Sequence, residues 1–131
     1  MEASMDLKDY FDQVKGTGVL STADSDGNVD AAVYSKPHIL DDGTIAFIMR
    51  DRLTHKNIQS NPKAAYLFVE DGPGYKGKRL FLTKVSEERE TERLYSLRRR
   101  CLTPEIDREK GDKFLVFFNL DKELPLIGAG T

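Results

Sequence analysis

A chain of 131 residues has room for one hydrophobic core, so a single domain spanning 1–131 is expected. Hydrophobic residues at 39% and charged residues at 32% describe a globular protein, and a net charge of −2 excludes a general affinity for nucleic acid or membrane surfaces. The single cysteine, Cys101, leaves no internal disulfide and no cysteine-based zinc site. No apolar stretch approaches the roughly 20 residues of a membrane span, and the acidic start MEASMDLKDYFDQV is unlike a signal peptide. The cytoplasm is the simplest compartment.

Leu7, Tyr10, Phe11 and Val14 follow helical spacing, with Ser4 as a candidate cap and Gly16 as a stop. The pattern then turns to strands. GVLSTAD (18–24) and VDAAVYSK (29–36) flank a hairpin signal at Asp26-Gly27, and HIL and TIAFIMR flank a second at Asp41-Asp42-Gly43. Pro37 limits the second strand, because proline gives no ladder donor. A short helix over about 54–60 stops at Asn61-Pro62.

KAAYLFVE (63–70) and RLFLTKVS (79–86) are further strands, separated by the glycine-rich loop DGPGYKGK. Residues 87–100, EERETERLYSLRRR, read as a helix with acids first and Arg98, Arg99 and Arg100 last. Cys101 then lies at helical spacing from Leu94 and Leu97, as a small apolar residue. KFLVFFNL (113–120) is the last strand. The sum is a mainly β chain, a six-stranded antiparallel barrel with flanking helices. The Rossmann alternative fails for want of a strand–GxGxxG–helix unit.

One stretch concentrates chemistry. In FIMRDRLTHKNIQSNP, Arg50, Arg52, His55 and Lys56 gather where a strand gives way to a helix, and Thr54 is positioned to cap it. Helix starts present unpaired N–H groups and partial positive charge, and nearby cations add charge-assisted bonds, so the corner suits a phosphate. Solvated surface charge, with Asp51 as partial counterion, explains the same residues without a ligand. His38 reads as a surface histidine that could face a substrate. Two histidines without HExxH give no metal site.

GVLSTADSDGNVDAAVYS, followed by a hairpin and LTHKNIQSNPKAAYLF, resembles the pyridoxamine 5′-phosphate oxidase-like FMN-binding split barrels over roughly residues 4–86. The resemblance implies a split barrel that binds FMN as a homodimer, with the flavin at the subunit interface. It implies phosphate contacts from Thr54 and Lys56, with Arg52 and His55 beside them. It lays the ring along Ala32, Val33, Tyr34 and Ser35, with Met49 and Arg50 as neighbours on the next strand. Lys76, Lys78 and Arg79, beside the glycine loop, could reach the flavin of the other subunit or an anionic substrate, and a solvated loop explains them equally well.

The implied activity is FMN-dependent electron or hydride transfer to or from a small acceptor. True pyridoxamine phosphate oxidases are longer and carry further arginine and tyrosine motifs that this chain lacks. Two other readings stay open: a non-catalytic flavin sensor or carrier, and a flavin-free interaction module on the same barrel.

Overall fold

The computed structural model describes residues 6–97 and 112–128. Helix α1 spans Leu7–Gln13, opened by the Asp6 carboxylate, which accepts from the Asp9 amide at 2.8 Å. The expected cap, Ser4, lies outside the described residues, as do Arg98, Arg99, Arg100 and Cys101. Strands β1 (Gly16–Ala23), β2 (Val29–Tyr34), β3 (His38–Ile39) and β4 (Ile45–Arg50) follow, then helix α2 (Leu53–Ser60). Strands β5 (Lys63–Glu70) and β6 (Gly77–Arg89), helix α3 (Glu92–Leu97) and strand β7 (Lys113–Pro125) complete the order.

All strands join one curled antiparallel sheet in the order β2-β1-β5-β6-β7-β4-β3. It has seven strands rather than the six expected, because the two residues of β3 pair with β4 as a strand of their own. β2 and β3 are the edges, and no pairing between them closes the barrel among the described residues. The long β6 and β7 pair with register shifts at Phe81/Leu82 and Lys84/Ser86, and such bulges bend a sheet.

Side chains alternate across β4 as the two-residue period of a strand requires. Ile45, Phe47 and Met49 enter the main core with Phe11, Tyr66, Phe68, Leu80 and Phe118. Ala46 faces a smaller cluster with Leu94, Leu115 and Phe117, against which Ile48 packs. α1 covers the main core through Tyr10 and Phe11, whose rings meet edge to face at 5.1 Å between centroids.

Both hairpin turns fall where the Asp-Gly signals placed them. Gly27 and Gly43 take φ of +86° and +88°, the left-handed region glycine enters without strain. Asp24 reinforces the first turn, its Oδ1 accepting from the amides of Asp26 and Asn28. Burial does not explain Gly18. A Cβ there would lie 1.8 Å from the Tyr66 hydroxyl, so glycine leaves room for the ring that crosses beneath β1.

The expected helix over 87–100 is overturned at its start. Residues 87–89 extend β6, where Glu87, Glu88 and Arg89 pair with Val116, Leu115 and Phe114 of β7. Tertiary pairing overrides the local helical preference of a Glu- and Arg-rich segment. Glu90 then turns the chain at φ +53°, and only Glu92–Leu97 is helical among the described residues.

Candidate functional site

α2 is capped two residues earlier than the sequence suggested. Its N-cap is Arg52, with no side-chain cap bond, and the Lys56 amide closes the first turn onto the Arg52 carbonyl at 2.9 Å. Thr54 therefore sits inside the first turn instead of capping it. Its hydroxyl donates across to Asp30 Oδ2 of β2 at 3.2 Å. The amides that open this turn have no intrahelical carbonyl to meet.

The helix is fastened from its opposite face. Ile58 enters the core, and the buried Asn57 side chain donates to Thr22 of β1 at 3.1 Å. The His55 ring stacks on Phe114 at 3.8 Å and 14°. Its Nε2 lies 3.1 Å from both carboxylate oxygens of Glu87, while Gln59 and Lys84 also donate to Glu87. Burial pushes the Glu87 carboxyl up, but the bonds from Lys84, Gln59 and His55 outweigh it and hold the group at about 2.

Between the edge strand β2, the outer face of β4 and the start of α2 lies a cleft of about 520 Å³. Asp30, Ala32, Val33, Tyr34 and Ser35 form one wall, Ile48 and Arg50 the floor, and Arg52, Leu53 and Thr54 the other wall. Tyr66 holds the end of the first wall from below, its hydroxyl within 3.2 Å of the Tyr34 carbonyl and 3.1 Å of the Ser35 carbonyl. Because β2 pairs only with β1 among the described strands, its outer backbone edge faces the opening in the barrel.

The polar groups of the cleft are unlike one another. Arg52 is exposed, whereas Arg50 is half-buried and engaged within the protein, with its Nη1 atom enclosed and lacking a hydrogen-bond partner. Burial raises the Tyr34 hydroxyl above the usual phenol range, against the opposing effects of a bond with Thr54 and the charge of Arg52. Asp30 supplies the only carboxylate among the lining residues.

The structure thus brings together Ala32, Val33, Tyr34, Ser35, Arg50, Arg52 and Thr54 from the residues singled out in sequence. The others lie elsewhere. Met49 is fully buried, because its position on β4 faces the main core and not the cleft. His55 points the other way, into its contacts with Phe114 and Glu87. Lys56 is exposed on α2 and does not line the cleft.

Lys78 and Arg79 lie on β6. Lys78 pairs with Glu123 at 2.6 Å and rests 4.7 Å above the Tyr10 ring, and Arg79 donates to the carbonyls of Pro125 and Gly128. His38 is half-buried on β3, away from the lining. Sequence reasoning missed Asp30, Ile48 and Leu53. Asp30 was within reach, since it shares a strand face with Ala32 and Tyr34 by the two-residue period. Among the described residues no cluster of His, Cys, Asp and Glu could hold a metal, and no helix is long and apolar enough to cross a membrane.

Comparison by sequence with family models and with curated proteins gives no match. Comparison of structures does. An FMN-binding protein from Syntrophomonas wolfei subsp. wolfei superposes with a TM-score of 0.73 at 20% identity, over 94% of this chain and 85% of that one. An F420 reductase gives 0.70 at 16% identity, over 92% and 98%. A candidate pyridoxamine 5′-phosphate oxidase from Lactobacillus delbrueckii gives 0.66 at 17% identity, over 94% and 93%. At these identities the likeness speaks for fold, and this chain has the split-barrel fold of the pyridoxamine 5′-phosphate oxidase-like proteins.

Proposed function

We propose that this chain is a cytoplasmic, homodimeric flavoprotein that binds FMN in the cleft between β2, β4 and α2. Its activity is electron or hydride exchange between a reductant and a small acceptor. The observation that carries the reading is the cleft itself, which sets a wall of small and apolar residues facing two arginines and the opening turn of a helix. A flavin is a flat aromatic body with an anionic tail, and this donor set matches both parts.

Arg52 and the first amides of α2 would hold the phosphate beside Thr54. The outer backbone edge of β2 would take the polar edge of the ring, with Ala32 allowing close approach. Lys56, one turn further along, adds long-range attraction. Arg50 lies on the floor, where a cation favours added negative charge. A bound flavin supplies the redox chemistry, and the chain's part is to bind, orient and tune it.

Pairing of two subunits is supported by apolar side chains left outside. Val29 and Val33 on β2 are 84% and 75% exposed, and Leu53 at the mouth of the cleft is 54% exposed. A second copy covering them would also shield the cleft from water.

The test is an absorption spectrum of the freshly purified protein, repeated after incubation with FMN and removal of the excess. Bands near roughly 370 and 450 nm that stay with the protein are expected of a bound flavin. A colourless protein that releases all added FMN would overturn the reading.

A further inference from the structure

A carboxylate stands inside a cleft otherwise suited to an anion. Asp30 lines the same space as Arg50, Arg52 and Thr54, and its Oδ2 accepts the Thr54 hydroxyl at 3.2 Å. That contact has two consequences for a phosphate at the helix start. The hydroxyl has one proton, so Thr54 cannot donate to Asp30 and to a phosphate oxygen together. A phosphate near enough to take that proton also comes within a few ångströms of an ionised carboxylate, a repulsive pair.

The strand explains why the carboxylate is held there. Asp30, Ala32 and Tyr34 alternate with Val29, Ala31 and Val33 along β2; all of the first set line the cleft, and of the second only Val33 does. Asp30 pairs with Thr22 across β1, and Thr22 in turn accepts from Asn57 of α2. The carboxylate is therefore fixed between the strand and the helix by a framework on both sides. Against it stand the two arginines, so the lining side chains carry one net positive charge.

We propose that Asp30 is a specificity-determining residue that sets the charge of the ligand the cleft accepts. It penalises a doubly charged phosphate monoester and favours a flavin whose phosphate at this point carries a single charge, as a phosphodiester does. This rests on the flavin reading above. It modifies that reading at one point: FMN enters the cleft but binds less tightly than a flavin phosphodiester.

The experiment is a fluorescence titration of wild type and Asp30→Asn with three probes: FMN, its phosphate methyl ester and riboflavin. Asparagine keeps the shape and can still accept from Thr54, so the fold is preserved, which far-ultraviolet circular dichroism checks. In wild type the methyl ester binds more tightly than FMN. In Asp30→Asn, FMN gains on the order of tenfold, the ester gains less, and riboflavin is unchanged. The gain shrinks as salt is raised toward about 1 M, because a charge–charge effect at a partly solvated site is screened.

FMN affinity that is unchanged or weaker in Asp30→Asn would overturn the inference while leaving the flavin site in place. A gain shared equally by riboflavin, or indifferent to salt, would also overturn it. Wild-type protein that binds none of the three would remove the flavin reading itself, and the inference with it.

Discussion

Two basic segments of this chain look alike in sequence and differ in the folded molecule. Arg50 and Arg52 precede α2, and Lys78 and Arg79 open β6. The second pair is already answered within the chain: Glu123 meets Lys78, and the carbonyls of Pro125 and Gly128 take Arg79. The first pair instead borders a cleft with a helix start and only one carboxylate. The difference comes from register. β7 runs far enough along β6 to set Glu123 and Pro125 beside the second pair, whereas opposite Arg50 it sets Lys113, another cation, and Arg52 lies outside the sheet.

The contrast depends on α2 staying seated, and its fastening is the most sensitive place to break it. Glu87 has a folded-state carboxyl at about 2 against an ordinary 4.5. Its stabilisation is therefore fully present above pH 4.5 and is lost as the pH falls toward about 2. The loss should be on the order of 3 kcal/mol. Denaturant unfolding followed from pH 6 to pH 2 measures it, and Glu87→Gln should start less stable and fall less steeply. Equal slopes for the two proteins would mean that Glu87 does not hold the helix.

A smaller effect separates the two basic segments directly. Arg52→Ala should weaken FMN binding by about 2 kcal/mol, roughly thirtyfold, through loss of a charge-assisted bond. Riboflavin, which lacks the phosphate, should bind the variant as it binds wild type. Lys78→Ala should show the smallest effect, with FMN affinity within about twofold of wild type and a stability cost below about 1 kcal/mol. If Lys78→Ala costs as much FMN affinity as Arg52→Ala, the comparison between the segments fails.

Much of the fold was legible because its signals are local. The two Asp-Gly turns, the alternation in IAFIMR and the spacing of Tyr10 and Phe11 each reflect a few neighbouring residues, and the structure has all three. What failed to show was set by distant partners. Residues 87–89 become strand only because β7 offers them a ladder, and Thr54 leaves the cap position because the chain turns into helix at Arg52.

The candidate site divides in the same way. Ala32 to Ser35 and the arginines could be picked out from a pattern, and the cleft gathers them. The direction in which His55 points could not be read from sequence. It depends on Glu87, which is 32 residues away, and on the Phe114 ring. Asp30 was overlooked for a different reason: it has the wrong charge for an anion site, and a search for cations passes over it.

The central claim is that the cleft between β2, β4 and α2 holds the flavin. A crystal structure of the protein grown with FMN tests it most directly. The ring should lie along residues 32–35, with the phosphate at Arg52 and Thr54. Flavin density at Lys78 and Arg79 instead, or at any site that leaves Arg52 and Thr54 untouched, would contradict it.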